Sequence, residues 1–252
     1  MKNDLTTYLD LCTQYYDLDK PIAPANALNF YMHYVQKAQG PILEPMCGTG
    51  RFLIPILEAG FEIDGFDASP HMLKALEAQC AAKKLKPNAW QQFLQDINIK
   101  KQYALIFIPS GSFSLIIDMI HIKLSLQKIF EHLLPGGLFV FEVETPQSVS
   151  SQLGIWHGSM QTRHDGSIII ASSLSFAPVD NIGTSIGRYD LIDKGNLLKT
   201  EFEHYQLRLY TINTMLPLLQ EVGFKTIRPL KSYDLDALPA TNDESIVFEC
   251  IK

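Results

Sequence analysis

The sequence has few cysteines, a deficit of cations and no long apolar run, and each shortage removes a class of protein. Cys12, Cys47, Cys80 and Cys250 lie far apart with no CxxC pair. That spacing argues against a disulfide framework and a zinc site, so reduced thiols are expected. The seven histidines are scattered without ligand spacing, and no metal is assigned. No window approaches the roughly 20 apolar residues of a spanning helix. The first residues, Met1 to Asp10, lack a basic stretch followed by an apolar one. A soluble, cytoplasmic protein with no membrane partner is therefore expected. Lys and Arg number 21 against 27 Asp and Glu, for a formal net charge of −6. A binder of nucleic acid, which gains affinity by neutralising phosphates, is disfavoured, and a small-molecule partner is favoured.

What remains is a chain of 252 residues, 46% hydrophobic, with enough apolar surface to offset the entropy of ordering it. No internal repeat or linker divides it. Up to Pro146, short apolar runs alternate with helical periodicity. Ile42-Leu43 precedes Phe52, Leu53, Ile56 and Leu57; Phe61 to Phe66 precedes Met72, Leu73, Leu76 and Cys80; Ala104 to Ile108 precedes Leu126, Ile129, Phe130 and Leu133; Leu138 to Val143 follows. Strand and helix in alternation predict an α/β fold, a parallel sheet with helices on both faces. Ser69-Pro70 supplies an N-cap and N1 proline, Gly60 a helix stop, and Pro135-Gly136-Gly137 a tight turn into a strand. After Pro146 the period changes to two. Ile168 to Phe176, Ser185 to Ile192 and Leu197 to Tyr210 read as antiparallel strands, with a hairpin at Asp193 to Asn196. In the last of these strands Tyr205, Leu207 and Leu209 share one face and are expected to pack. Phe202, His204, Gln206, Arg208 and Tyr210 share the other, which is expected to meet a ligand. A helix through Leu216, Leu219 and Val222 and strands over Phe224 to Pro229 and Ser245 to Ile251 complete the sheet.

The sharpest local signal is Ile42-Leu43-Glu44-Pro45-Met46-Cys47-Gly48-Thr49-Gly50-Arg51-Phe52, a strand ending in an acid and breaking into a glycine-containing turn that opens a helix. Gly48 and Gly50 have no side chain to keep a polar ligand from the backbone N–H groups. The next strand ends at Asp67, 19 residues after Gly48, where a carboxylate can accept both hydroxyls of a ribose. A nicotinamide site needs a third glycine where Leu53 stands, and Glu44 would repel a pyrophosphate, whereas it suits an ammonium group.

Glu44, Gly48, Gly50 and Asp67 resemble the first motif and ribose-binding acid of the class I S-adenosylmethionine-dependent methyltransferases. Met46 stands where that family commonly has its first glycine. Gln95-Asp96-Ile97 resembles the segment that meets the adenine amino group, and His132 to Gly137 resembles the turn before the fifth strand. The resemblance, over about residues 40 to 145 plus the final helix and two strands, implies a doubly wound, Rossmann-like, seven-stranded and mostly parallel sheet. It also implies S-adenosyl-L-methionine as cofactor, held by Glu44, Met46, Cys47, Gly48, Gly50, Arg51, Asp67, Ala68, Met72, Asp96, Ile97 and Ile108. The layout is similar to a small-molecule subgroup that includes amino-sugar N-methyltransferases and glycine N-methyltransferase. In that subgroup an N-terminal tyrosine lids the site and an antiparallel insertion follows strand five. Here residues 1–40 would form N-terminal helices and lid, 41–146 the cofactor-binding core, 147–210 the insertion and 211–252 the closing elements of a single domain.

On the acceptor side the candidates are Tyr16, Ser114, His204 and Arg208. Ser114 aligns with the strand-four-loop histidine of the amino-sugar enzymes. Tyr15 and Tyr16 either close the site or pack their helix on the sheet. Trp156 reads as a packing residue, and Glu144 either orients an acceptor or caps a turn. N- or O-methylation of a small molecule is the expected activity. A noncatalytic binder of S-adenosylmethionine or S-adenosylhomocysteine is the alternative, and a nicotinamide oxidoreductase stands behind it. The insertion could instead pair with a second copy in a homodimer.

Overall fold

The computed structural model describes residues 5–252. Seven strands form one sheet in the order β3(Asn88–Gln91), β2(Ile63–Asp67), β1(Ile42–Pro45), β4(Tyr103–Ile108), β5(Leu133–Glu144), β11(Ser245–Ile251), β10(Thr226–Lys231). β1 to β5 are mutually parallel, and β11 runs antiparallel to both of its neighbours. The chain order reverses between β1 and β4, so the loops after these strands diverge and leave a crevice at their carboxyl ends.

Residues of opposite parity in these strands feed two buried clusters. Leu43, Ile106, Ile108, Phe139, Phe141 and Phe248 pack with α5(Met119–His132) and α6(Ile212–Val222). Ile42, Leu105, Phe107, Val140 and Val247 pack on the other face with α2(Ala25–Lys37), α3(Leu53–Glu58) and α4(Pro70–Ala82). Strands covered on both sides read as near-continuous apolar runs rather than alternating ones, broken here by the buried Glu44, Asp64 and Glu142. Ser69 caps α4 by accepting the Met72 N–H, with Pro70 at N1, as the sequence predicts. Pro135-Gly136-Gly137 lies inside β5, where pairing with β4 jumps from Tyr103↔Leu133 to Leu105↔Leu138. The predicted turn is thus absorbed as an irregularity within a longer strand.

The segment between β5 and α6 forms a separate antiparallel sheet, β6(Trp156–Thr162), β7(Ile168–Val179), β8(Ile182–Asp193) and β9(Asn196–Arg208), paired in that order. β6 went unread in the sequence because Trp156-His157-Gly158-Ser159-Met160 does not alternate cleanly. The inner face covers α1(Asp10–Asp19). Glu201 accepts the Leu11 and Cys12 N–H groups at 2.8 and 3.1 Å, Tyr15 bonds Ser159, and Ile169 is fully buried. A carboxylate at a helix N-terminus satisfies orphan donors and complements the macrodipole.

The four cysteines are buried and free. Among the described residues no helix is long and apolar enough to cross a membrane.

Candidate active site

A cleft of about 570 Å³ opens at the carboxyl ends of β1, β2 and β4, within the range of about 300–1,000 Å³ usual for small-molecule sites. Its floor is the turn after β1. Met46, Gly48 and Gly50 all take positive φ, at 58°, 55° and 89°. Met46 therefore holds the left-handed conformation that a glycine would adopt without strain, at a cost of about 1–2 kcal/mol, and its side chain lines the cleft. A Cβ at Gly48 would meet only Met72 Sδ, at 3.9 Å, so the space above it belongs to the cleft. Gly50 differs. A Cβ there would collide with Leu76 and Ile54, so its bareness serves helix packing and it does not line the cleft.

Asp67 ends β2 and joins the two halves of this floor. Its Oδ2 accepts the Gly48 N–H at 2.9 Å and its Oδ1 the Ser69 N–H at 2.8 Å. Burial raises the pKa of its carboxyl, and these N–H groups oppose the shift. Glu44 is 1% exposed, and its Oε2 has no hydrogen-bond partner among the described residues. Burial, reinforced by Asp67 and opposed by Arg51, pushes its pKa well above the usual carboxylate range. Arg51 donates from Nη1 to the Tyr16 hydroxyl at 2.8 Å, and its guanidinium lies 5.5 Å from the centre of that ring.

The roof is the segment before α1. Thr6 exchanges two hydrogen bonds with the His204 backbone. Thr7 Oγ1 and the Leu9 N–H donate to the two carboxylate oxygens of Glu203 at 2.9 and 2.7 Å, and Ser69 Oγ donates to the Tyr8 carbonyl at 2.6 Å. Tyr8, at φ 55°, meets Tyr16 and Tyr205 edge-on. The strap thus ties β9 to α4 across the cleft.

Of the residues singled out in the sequence, Glu44, Met46, Cys47, Gly48, Arg51, Asp67, Ala68, Met72 and Tyr16 line this cleft. The rest stand elsewhere, each for a physical reason. Asp96 is exposed at the end of a 3₁₀ turn, Leu94–Asp96, which brings Leu94 and buried Gln95 to the cleft instead. Ile97 and Ile108 are core residues. Ser114 is fully buried, and its hydroxyl accepts the Glu144 N–H, fastening the loop after β4 to β5. His204 is exposed, because the residues of β9 that turn inward are Glu201, Glu203 and Tyr205; the ligand-facing parity expected from the sequence is reversed. Arg208 does not line the cleft but donates from Nε and Nη2 to the Ile117 carbonyl at 2.8 and 2.6 Å. Trp156 is half exposed on the outer face of the insertion rather than packed. Glu144 lies off the cleft, its carboxylate against Gly111.

The loop after the fourth strand, expected from the sequence at this sheet edge, brings Pro109, Ser110 and Ser112 to the cleft, whereas Thr6, Thr7, Tyr8, Ile116, Ile117, Asp118 and His121, also on it, were not singled out. Asp118 had a readable signal: an Asp directly before an apolar periodic stretch is an N-cap. Its Oδ1 does accept the Ile120 and His121 N–H groups.

Residues 42–137 match a family described as a methyltransferase domain. A curated relative from Geobacillus sp. (strain WCH70), described by name only as a methyltransferase, is 22% identical over 216 residues, 85% of each chain. The solved S-adenosylmethionine-dependent methyltransferase of Clostridium acetobutylicum ATCC 824 superposes with a TM-score of 0.77 at 18% identity, over 94% of this chain and 96% of that one. The sugar N-methyltransferase KedS8 of Streptoalloteichus sp ATCC 53650 gives 0.75 at 18%, over 100% and 98%. Residues 42–137 thus match a methyltransferase domain, and the chain as a whole has the fold of the S-adenosylmethionine-dependent methyltransferases.

The cleft fits that cofactor on chemical grounds. Glu44 Oε2 is a buried acceptor lacking a partner, suited to the ammonium of a methionine moiety, and Gly48 leaves the floor bare. Asp67 stands at the strand end where a ribose is met.

Proposed function

We propose that the protein transfers a methyl group from S-adenosylmethionine to a small molecule, on nitrogen or oxygen. The observation that carries this reading is the roofed cleft: one half is built from Glu44, the turn after β1 and Asp67, and it continues into a second half walled by Pro109, Ser110, Leu115 to Asp118 and His121. The cofactor supplies a methyl group already activated on a sulfonium, displaced in line by an acceptor lone pair as the S–C bond breaks and its electrons stay on sulfur. What remains for the protein is positioning and exclusion of water. Glu44 would hold the methionine end of the donor and Asp67 its ribose, while Tyr8, Tyr16 and the strap shut out solvent. Sugar N-methyltransferases among the structural neighbours are consistent with a small acceptor. A narrow, roofed cleft with Glu44, Asp67 and Asp118 on its lining also disfavours nucleic acid.

The test is transfer of label from methyl-labelled S-adenosylmethionine to components of a metabolite extract, with Asp67→Ala as control. Labelled small product formed by the wild type and lost in the variant supports the reading. Tight donor binding without transfer to any component would instead make the protein a binder.

A further inference from the structure

We propose that the acceptor is an amine carried on an apolar body, its ammonium held by Asp118 and its apolar part laid against Leu115, Ile116 and Ile117. This rests on the methyltransferase reading above and names the acceptor class for that site.

The acceptor half of the cleft is mostly apolar, with Leu5, Pro109, Leu115, Ile116 and Ile117 interrupted by Ser110 and Ser112, and it ends in the charged and polar Asp118 and His121. An acceptor bearing many hydroxyls would leave most of them facing apolar side chains, with few hydroxyl partners to take them up, at a cost in affinity. Charge points the same way. Among the described residues the lining holds the carboxylates Glu44, Asp67 and Asp118 against one Lys or Arg, Arg51, whose Nη1 is bonded to Tyr16. A nucleotide-linked or phosphorylated acceptor would bring phosphates into a cleft whose described lining carries more carboxylates than cations. A primary or secondary ammonium is drawn in, and it must shed one proton, to His121 or to water at the open rim, before its nitrogen lone pair can form the new N–C bond.

The apolar wall is rigid before the acceptor arrives. Arg208 holds the Ile117 carbonyl from behind through two N–H groups, and Asp118 fixes the start of α5 through Oδ1. Preorganisation of this kind lowers the entropic cost of binding. Arg208 is thus a positioning residue of the acceptor wall, acting through the loop rather than by touching the acceptor.

The experiment measures methyl transfer from labelled S-adenosylmethionine to hexylamine and 2-phenylethylamine, to 2-phenylethanol, and to a nucleotide-diphosphate-linked amino sugar, with calorimetry of the donor alongside. The expected result is methylation of the amines in preference to the alcohol and the nucleotide sugar. Asp118→Asn keeps the helix cap, since Asn caps as well as Asp. It should raise KM for the amines at least tenfold and leave donor affinity within twofold. Preferred transfer to the nucleotide-linked amino sugar, absence of transfer to either amine, or an unchanged KM in Asp118→Asn overturns the proposal. Where the donor still binds, any of these leaves the methyltransferase reading standing; failure of the donor to bind takes down both.

Discussion

A carboxylate oxygen buried without a partner destabilises the protein that carries it, and among the described residues Glu44 Oε2 is such an atom on the cleft. Its acid form is favoured in the folded state, so its contribution to stability is present at low pH and is lost as pH rises above the ordinary glutamate range. Glu44→Gln should therefore raise the denaturation midpoint of the ligand-free protein at pH 8. It should also weaken S-adenosylmethionine binding about 10- to 100-fold, the worth of a hydrogen bond to a charged group. Opposite shifts in chemical denaturation and calorimetry confirm the site; a loss of both, or of neither, contradicts it. Glu144 provides the pH dependence in a second place. Burial, with Glu142 nearby, pushes its pKa up to about 7 from 4.5. The folded state then holds more protons than the unfolded one between about pH 4.5 and 7, so stability falls across that window as pH rises. Urea midpoints measured from pH 4.5 to 8 should diverge between the wild type and Glu144→Gln, with the variant gaining over the wild type as pH rises.

At the scale of elements, Glu203 decides whether the strap stays down. It is 4% exposed and takes both the Thr7 hydroxyl and the Leu9 N–H. Glu203→Ala leaves that N–H without its acceptor, at about 1–3 kcal/mol. Amide exchange over residues 5–9 should quicken well beyond that of the central strands, and dissociation of S-adenosylmethionine should speed up. An unaltered exchange pattern would show that the strap is held by other contacts. None of these contacts was legible in the sequence, because they join residues 190 or more positions apart and the strap has no periodicity of its own. The alternation of β9 was legible, but its sense was not. Period two says that 203 and 204 face opposite ways, and the partner that makes 203 the inner one is α1, packed from the far end of the chain. By contrast the turn after β1 and the acid ending β2 could be read directly, since strand, turn, helix and strand are consecutive there. Asp96 fell outside the cleft because a 3₁₀ turn rotates each residue by about a third of a turn, and no local signal fixed where that turn begins.

For the whole molecule, the insertion leaves one face of its sheet uncovered. Trp156, Met160 and Phe202 are 50%, 61% and 59% exposed, and cross-strand pairing puts them on the same face as Leu174, Ile170 and Arg188. Exposed apolar side chains gathered on one sheet face suit burial against another surface. We propose that two copies cover it in a symmetric dimer. Light scattering on the wild type should give twice the chain mass of 28.4 kDa, and Phe202→Asp should reduce it to the monomer while α1 and the cleft keep their structure. A monomeric wild type at micromolar concentration would refute the pairing. The strap has a further consequence for kinetics. Thr6, Thr7 and Tyr8 lie across the cleft, pinned to β9 on one side and to Ser69 on the other, so the spent cofactor must wait for those hydrogen bonds to part before it can leave. Turnover is then expected to be timed by an opening event rather than by the chemistry, if the spent cofactor leaves past the strap. Pre-steady-state mixing should show a burst of methylated product about equal to the enzyme present, followed by a slower phase whose rate rises in Glu203→Ala.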